Sequence, residues 1–286
     1  KITALSIPRE YRDGYTNKED VWIKLITLSG ELKLIFLNKH LEVEQEVKCN
    51  STNNNTYLVN PSSTFRITPK SNDLEFILEY YCEAQDYFSN KYNLSPAHEE
   101  VVSAVKHIPP CKALDLGAGQ GRNTLYLSSI GFEVSAVDNN ALFLQELSNI
   151  SLEENLNLNV YKHDINQANI KSDFDFIFAT DVFMYLNPTR ISSIIRNMQS
   201  RTTIGGYNLI VSSLLVPGHT LATPFPFSFI QNELREYYDD WKIMVETLFL
   251  ENLRWDNWEP IGVYEEKQTE YPQIKNRKKI NKTSKV

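Results

Sequence analysis

Three glycines at alternate positions follow a short apolar strand near the middle of this chain. They are Gly117, Gly119 and Gly121, and the stretch reads A-L-D-L-G-A-G-Q-G-R-N over residues 113–123. Glycine tolerates positive φ and lets backbone N–H groups come close to a ligand. The helix that follows adds a partial positive charge at its amino end. The pattern therefore predicts a nucleotide-type cofactor loop at the end of the first strand of an α/β unit.

The acid two positions before the first glycine indicates which cofactor the loop accepts. Dinucleotide enzymes favour G-x-G-x-x-G with an apolar residue at that place. In this chain Asp115 gives D-x-G-x-G-x-G instead. A carboxylate beside the loop suits a cationic ligand end, such as the amino group of S-adenosylmethionine. We therefore predict a methyl-donor site, with a dinucleotide site and a simple tight turn as the two alternatives.

A second acid, Asp138, ends the next predicted strand, which covers residues 133–138. It lies about the distance past the loop at which a ribose-binding carboxylate is expected. Two ribose hydroxyls donate well to one carboxylate, and the carboxyl end of a strand would present it to them. The competing interpretation is a solvent-exposed acid that caps the helix before Asn139 and Asn140.

Further candidates follow the third and fourth predicted strands. In doubly wound sheets, ligands lie beyond the carboxyl ends of the strands. Asp164 and Ile165 suit an adenine edge, because they offer a side-chain acceptor and a neighbouring backbone N–H. Thr180, with Asp181 and Val182, would form the floor of the same cleft. Local capping of a turn or a strand end is the alternative for both groups.

Strands that alternate with helices predict the fold class of the larger part of the chain as α/β. The strands are predicted, in order, at 113–116, 133–138, 159–163, 174–180, 207–215, 242–249 and, weakly, 261–264. The helices between and around them are predicted at 123–130, 141–154, 191–200 and 232–241. A preceding helix is predicted to start after an N-cap at Ser95, with Pro96 at its first position, and to end near Val105. This order implies a doubly wound parallel sheet with right-handed crossovers.

The first part of the chain has the periodicity of strands. Runs at 21–28 and 31–36 are separated by Ser29–Gly30, which predicts a two-residue hairpin. Further runs at 56–59, 65–68 and 74–81 predict a small antiparallel β-barrel or sandwich. We thus predict a β domain at 1–83, an α/β domain at 84–270 and a basic, disordered tail at 271–286.

Composition and charge argue against several other classes. The chain of 286 residues has a net charge of −7, which gives a nucleic-acid partner no general electrostatic support. No apolar run approaches the roughly 20 residues needed to cross a membrane. The first residues lack a secretory core, so we expect a cytoplasmic location. Cys49, Cys82 and Cys111 have no metal-ligand spacing, and no metal is predicted.

Five segments together carry a resemblance to a known family. They are D-L-G-x-G-Q-G-R-N-x-L-Y-L at 115–127, D-Y-F and K-Y within 86–92, V-F-M-Y-L at 182–186, G-G-Y-N-L-I-V at 205–211 and N-E-L-R-E-Y-Y at 232–238. The glycine loop alone is typical of methyltransferases in general, whereas the third and fourth segments are more specific. Nearly continuously from Asp86 to Trp241, the chain resembles tellurite-resistance methyltransferases of the TehB type. The leading β segment resembles the extra N-terminal domain that some members carry.

The resemblance implies a seven-stranded, class I methyltransferase that uses S-adenosylmethionine and acts on tellurite, or on selenium oxyanions, in the cytoplasm. By matching position, it implies cofactor-binding roles for Tyr92, Asp115, Gly117, Gly119, Arg122, Asp138, Asp164 and Thr180. No residue is predicted to be catalytic. The oligomeric state stays open, a homodimer included.

The chain departs from the family pattern where the methyl acceptor is expected. Members usually carry G-E-L-H-[KR]-T after the sixth strand, but residues 252–260 read N-L-R-W-D-N-W-E-P and lack histidine. The Pro-Cys pair before the aromatic loop at 224–229 is replaced by Thr-Leu at 220–221. The N-terminal domain has T-F-R-I at 64–67 where a histidine-containing segment is usual. We therefore expect weak turnover of an oxyanion.

An anionic acceptor needs hydrogen-bond donors and positive charge. The residues predicted to face the cleft and offer these are Tyr92, His98, Arg122, Arg190, His219 and Arg254. Two other functions stay open. One is methylation of a small organic thiol or metabolite, and the other is binding of the methyl donor by a protein that has lost turnover.

Overall fold

The computed structural model describes residues 1–215, 225–244 and Lys278–Ile280. These residues divide into two compact units. The first comprises residues 1–97 together with the strand at 278–280, and the second begins at His98. The first unit thus extends past residue 83, where the sequence placed the boundary.

The first unit contains two antiparallel sheets. Its elements before residue 98 are β1 Ile2–Thr3, α1 Arg9–Asp13, β2 Tyr15–Thr16, β3 Val21–Ser29, β4 Glu31–Leu37, β5 Val43–Asn50, β6 Thr56–Val59, β7 Thr64–Pro69, β8 Glu75–Cys82 and α2 Tyr87–Tyr92. One sheet has the strand order β1-β8-β3-β6, and the other has β2-β7-β4-β5. Alternate side chains of β3 and β4, such as Ile23, Leu25, Leu32 and Leu34, are fully buried, as in strands with one face on a core. Two separate sheets favour the sandwich over the closed barrel.

The turn at Ser29–Gly30 does not make the predicted hairpin. Strand β3 pairs with β6 and β8, whereas β4 pairs with β5 and β7, so this turn carries the chain from one sheet to the other. Gly30 has a φ of +69°, and a Cβ there would lie 2.3 Å from Ser71 Oγ and 2.8 Å from the backbone of Leu74. The hairpin prediction was wrong because a sheet-to-sheet turn has the same local pattern of alternating apolar residues around a glycine.

Strand β5 was not predicted from the sequence. Its side chains read V-E-Q-E-V-K-C-N, and all but the last few are exposed at the edge of their sheet. Charged side chains are common on edge strands, where they discourage pairing with other chains. They also hide the apolar alternation by which a strand is recognised.

The second unit is built on a parallel sheet. Its elements are α3 Glu99–Ala104, β9 Lys112–Leu116, α4 Arg122–Ser129, β10 Glu133–Asp138, α5 Ala141–Glu153, β11 Leu158–Lys162, β12 Phe174–Thr180, α6 Ile191–Ser200, β13 Thr202–Val211, β14 Leu214–Leu215, β15 Phe229–Ile230 and α7 Glu233–Tyr237. The five strands β9 to β13 pair in the order β11-β10-β9-β12-β13, all parallel. The strand order reverses between β9 and β12, which is where ligands bind in such sheets. The α/β prediction is confirmed.

The predicted elements agree with most of this unit. Strand β12 and helix α6 have the predicted bounds. The first helix begins at Glu99 with His98 as its N-cap, not after Ser95, because the imidazole Nδ1 accepts the N–H of Glu100 at 3.2 Å. Helix α7 is shorter than predicted, and β13 starts before residue 207 and ends before 215.

The sixth and seventh predicted strands lie mostly outside the described residues. Residues 242–244 have no strand, and the remainder of 242–249 and all of 261–264 are not described. The described sheet therefore corresponds to the first five of the seven predicted strands.

The last described segment belongs to the first unit. Lys278–Ile280, β16, pairs antiparallel with residues 80–82 of β8. Part of the tail predicted to be disordered is thus a strand, and the remainder of 271–286 lies outside the described residues. Among the described residues, no helix combines the length and apolar character that crossing a membrane requires.

Candidate functional site

The glycine loop joins β9 to α4 at the carboxyl edge of the parallel sheet. Gly117, Gly119 and Gly121 have φ values of +82°, +55° and +88°. A Cβ on the first would lie 2.5 Å from Val182 Cγ2, and a Cβ on the third would lie 2.4 Å from Leu147 Cδ1. A Cβ on Gly119 would meet no described atom within 4 Å. The outer glycines thus serve close packing, whereas Gly119 faces open space.

Asp115 lies in β9 below this loop and is almost fully buried. Its side chain is 1% exposed, and its Oδ2 accepts a hydrogen bond of 2.6 Å from the hydroxyl of Thr124 in α4. Burial raises the pKa of Asp115 to about 7, although the hydrogen bond from Thr124 and the charge of Arg122 act to lower it. The carboxyl group therefore ties the strand to the helix beneath the loop.

Asp138 contacts the glycine loop from the end of β10. Its Oδ2 accepts the N–H of Gly119 at 2.9 Å, and its Oδ1 accepts the N–H of Asn140 at 2.8 Å. The second of these bonds is a local turn before α5, whose N-cap is Asn140 and not Asp138 as the alternative interpretation had it. The first bond, between groups 19 residues apart, places the carboxylate beside the open side of the loop.

Asp164 and Ile165 follow β11 at the same edge. Asp164 Oδ1 accepts two hydrogen bonds of 3.0 Å from Asn166, one from the backbone N–H and one from the side chain. Its Oδ2 accepts none from the described part of the chain. Ile165 is 7% exposed and packs in the core of the unit. The turn-capping interpretation is therefore present in the fold, and one carboxylate oxygen is left for a ligand.

Thr180 and Asp181 end and follow β12, next to the loop. Thr180 Oγ1 accepts a hydrogen bond of 2.8 Å from the side chain of Asn123, whose own Oδ1 accepts the backbone N–H of His98 at 2.8 Å. Asn123 is 3% exposed. Its amide thus joins β12, α4 and the start of α3 in one buried network.

The sequence reasoning gave no role to Asn123 or Thr124. A signal was available: both polar residues stand in the first turn of a helix whose next three residues are buried and mostly apolar. Buried polar side chains in proteins are almost always hydrogen-bonded. Their position after a glycine loop could therefore have predicted partners on the neighbouring strands.

Arg122, the first residue of α4, pairs with Asp181. Its Nη2 lies 2.7 Å from Asp181 Oδ2, and His98 Nε2 lies 3.9 Å from the same oxygen. Asp181 has a φ of +55°, and its backbone N–H donates to the carbonyl of Val211 at 3.0 Å. The carboxylate of Asp181 thus forms an ion pair with Arg122 and lies near His98, at the edge between β9 and β12.

The other residues predicted from the sequence are distributed differently. Tyr92 belongs to α2 in the first unit, where its ring stacks on Phe88 with centroids 6.2 Å apart. Arg190 is committed to the turn after β11, because its Nε donates to the carbonyl of Asn166 at 2.8 Å. His219 and Arg254 lie outside the described residues.

The described part of the aromatic loop begins at Phe225. Phe229 is 4% exposed and packs against Phe183 with ring centroids 5.7 Å apart. Phe227 packs edge-on against Phe229 at 4.8 Å, and Phe225 packs edge-on against Tyr185 at 5.5 Å. Phe229 belongs to the core of the unit and Phe227 packs against it, so two rings anchor the loop, and Phe225 contacts the exposed Tyr185.

These residues fit a nucleotide-type cofactor. The tip of the loop has no side chain and faces open space at Gly119. The carboxylates of Asp138 and Asp164 follow adjacent strands, β10 and β11, and both retain lone pairs for hydroxyl or amine donors. By contrast, no group of three or more His, Cys, Asp or Glu side chains within the described residues is arranged to hold a metal ion.

Comparison with known families decides the class of protein. A family model described as tellurite resistance protein TehB matches residues 80–253, and a TehB-like domain matches residues 2–78. A relative from Haemophilus influenzae, named as a probable S-adenosyl-L-methionine-dependent methyltransferase TehB, is 42% identical over 242 residues. That match covers 85% of this chain and 84% of the relative. The chain belongs to the TehB family.

Structural comparison agrees with this membership. The crystal structure of TehB from Haemophilus influenzae superposes with a TM-score of 0.82 at 42% identity, covering 85% of each chain. A protein of Eikenella corrodens named hemagglutinin 1 is 41% identical over 184 residues, 64% of this chain and 61% of that protein. TehB membership confirms the predicted fold. It also confirms that the protein is an S-adenosylmethionine-dependent methyltransferase, as predicted, and thus its cofactor.

Proposed function

We propose that this enzyme transfers the methyl group of S-adenosylmethionine to tellurite, with selenium oxyanions as a second class of acceptor, in the cytoplasm. The observation that carries the proposal is the match of residues 80–253 to the tellurite resistance protein TehB. The match of residues 2–78 to the TehB-like domain supports it, because both parts of the chain then come from one kind of protein.

The cofactor roles are part of the proposal. Gly119, at the open tip of the loop, would let backbone N–H groups approach the cofactor, and Asp138 would accept the ribose hydroxyls. Asp164, through its Oδ2, and the N–H of Ile165 would bind the adenine edge. The remaining proposed cofactor contacts are those of Gly117, Arg122 and Thr180, whereas Asp115 would support the loop from beneath through its bond to Thr124. Tyr92, which lies in the first unit, stays a prediction from the sequence.

In methyl transfer, the main task of the protein is to position the acceptor and the cofactor. When bound, the cofactor supplies an electrophilic methyl group on a sulfonium sulfur. Tellurium(IV) has a free lone pair, so the acceptor needs no general base. The side chains of the enzyme must therefore align the acceptor with the methyl group and exclude water. Phe225 and Tyr185, packed edge-on at the rim of the aromatic loop, are suited to excluding water.

The test is a methylation assay with the whole chain. Purified enzyme is incubated with methyl-labelled S-adenosylmethionine and, separately, with tellurite, selenite and a set of small thiols, and labelled products are measured in solution and in the headspace. We expect labelled methyl tellurium species, at a low rate because of the altered region at 252–260. Turnover of thiols alone would replace the proposal by a thiol methyltransferase. Tight cofactor binding without any turnover would indicate a donor-binding protein.

A further inference from the structure

The ion pair between Arg122 and Asp181 lies beside the glycine loop, at the edge between β9 and β12. Arg122 starts the helix after the glycine loop, and Asp181 follows the neighbouring strand β12. The glycine loop before Arg122 follows β9, and the strand order of the sheet reverses between β9 and β12. In doubly wound sheets, ligands bind in the crevice at this point. Both side chains are partly exposed, 30% for Arg122 and 48% for Asp181. A ligand entering from solvent can therefore reach this pair.

The backbone holds Asp181 in place. Its φ of +55° is in the left-handed region, which Asp and Asn tolerate better than most residues. Its N–H is bonded to the carbonyl of Val211, and the next residue, Val182, lies against Gly117. The carboxylate is thus fixed beside Arg122 by contacts to two neighbouring segments, and it does not depend on a flexible loop for its position.

The charges at this edge are unfavourable to an anion. Asp138 ends β10, Asp164 follows β11 and Asp181 follows β12, and Arg122 forms an ion pair with Asp181. Because Asp181 Oδ2 lies 2.7 Å from Arg122 Nη2, the positive charge that an oxyanion would seek is already neutralised. An anionic acceptor has to compete with this internal carboxylate, and it is also repelled by it.

We propose that Asp181 is a specificity-determining residue, which acts as an internal counter-ion of Arg122 and weakens the binding of anionic acceptors. This inference rests on the proposed function, in which the acceptor is an oxyanion. His98 Nε2 lies 3.9 Å from the same carboxylate oxygen, beyond hydrogen-bond distance, so Arg122 is the group that Asp181 holds directly. Removing the charge of Asp181 releases Arg122 toward the acceptor. Uncharged acceptors do not gain in the same way.

The variant that tests this inference is Asp181→Asn, which keeps the size and the left-handed backbone but removes the charge. The matched control is Asp173→Asn, which removes one charge from an exposed ion pair with Arg201 at the opposite end of β12. The dissociation constant for tellurite is measured by calorimetry on the full chain saturated with S-adenosylhomocysteine, and KM and kcat are measured where turnover is found.

In Asp181→Asn we expect the dissociation constant and the KM for tellurite to fall about three- to tenfold, the range for loss of a partly exposed charge. The control should stay within twofold of the wild type. All tellurite titrations are made at saturating S-adenosylhomocysteine, because Arg122 is itself a proposed cofactor contact. In an Arg122→Gln background the gain from Asp181→Asn should shrink to the part that comes from relief of direct repulsion, because the counter-ion effect needs both residues. A gain of undiminished size in that background overturns the inference.

The inference is also overturned if tellurite affinity in Asp181→Asn stays within twofold of the wild type, or if neither protein binds tellurite measurably. These results are distinct from failure of the proposed function. If tellurite binds more tightly to the variant but no methylated tellurium forms in either protein, the counter-ion role holds and tellurite methylation is wrong.

Discussion

The carboxylate of Asp138 holds the tip of the glycine loop through a hydrogen bond of 2.9 Å to the backbone N–H of Gly119. The residue proposed to bind the ribose and the residue proposed to admit the cofactor are therefore in direct contact. A substitution at Asp138 therefore also removes a hydrogen bond from the backbone of the glycine loop.

Gly119→Ala should reduce the affinity for S-adenosylhomocysteine at least tenfold while the protein stays folded. A Cβ at this position meets no described protein atom, so its steric effect falls on the ligand. The positive φ alone costs about 1 kcal/mol of stability. The matched control is Gly205→Ala in β13, which also has a positive φ, +82°, and an open Cβ position. Calorimetry and thermal unfolding separate the two effects; equal affinities in both variants would contradict the prediction.

Asp138→Ala should weaken cofactor binding by about 1–3 kcal/mol, which corresponds to about five- to 150-fold in the dissociation constant. The variant leaves ribose hydroxyls unpaired and also frees the N–H groups of Gly119 and Asn140. Calorimetric titration with S-adenosylhomocysteine measures the loss, with the exposed Asp173→Ala as control. If the affinity of Asp138→Ala equals that of the control, Asp138 does not bind the cofactor.

Asp115→Asn should flatten the dependence of stability on pH. An unfolded Asp ionises near pH 3.9, whereas burial raises the pKa of Asp115 to about 7 in the folded protein. The unfolded chain therefore releases this proton first, and the contribution of Asp115 to the free energy of unfolding falls as pH rises from about 4 to about 7. Urea unfolding at several pH values measures the free energy of unfolding from which this contribution is obtained.

The difference in free energy of unfolding between wild type and Asp115→Asn carries this signal, because the other acids of the chain cancel in it. Relative to the wild type, the variant should gain stability between pH 5 and pH 7.5. A constant difference over this range would show that Asp115 is ionised in the folded protein throughout.

Residues 1–83 should be dispensable for cofactor binding. The family models meet between residues 78 and 80, close to the predicted boundary, and the glycine loop and its carboxylate partners all lie in the second unit. A chain that begins at residue 84 keeps Tyr92 and should bind S-adenosylhomocysteine within threefold of the full protein. Insolubility or loss of binding in that chain would show that the β domain supports the α/β domain.

The sequence predicted the parallel sheet well because its central strands β9 and β12 are buried, largely apolar runs that are followed by turns. Strand β12 is buried at six of its seven residues, so no other interpretation of that run competes with a central strand. The first unit was predicted less well. The charged edge strand β5 has no apolar alternation, and the path from β3 to β4 depends on which sheet each strand joins.

In the candidate site, too, residues that are marked by local sequence were predicted, whereas contacts between residues far apart in the sequence were not. The loop and the acids that end β10 and β12 could be found from spacing alone. The pair Arg122–Asp181 and the bond from Asn123 to Thr180 join residues 59 and 57 positions apart, and nothing in the local pattern of either residue specifies its partner. Asp115 was expected to face the cofactor, but its burial is a consequence of packing between β9 and α4.

The strand β8 receives both ends of the described chain on one edge. Its other edge is filled by β3 along its whole length, so β1 at residues 75 and 76 and β16 at residues 80–82 lie in line on the remaining edge. During synthesis, residues 80–82 are made long before Lys278–Ile280. At typical elongation rates the last segment follows after about ten to forty seconds. The first unit can therefore begin to fold with part of this edge unpaired, and the edge closes only after Lys278–Ile280 has been made.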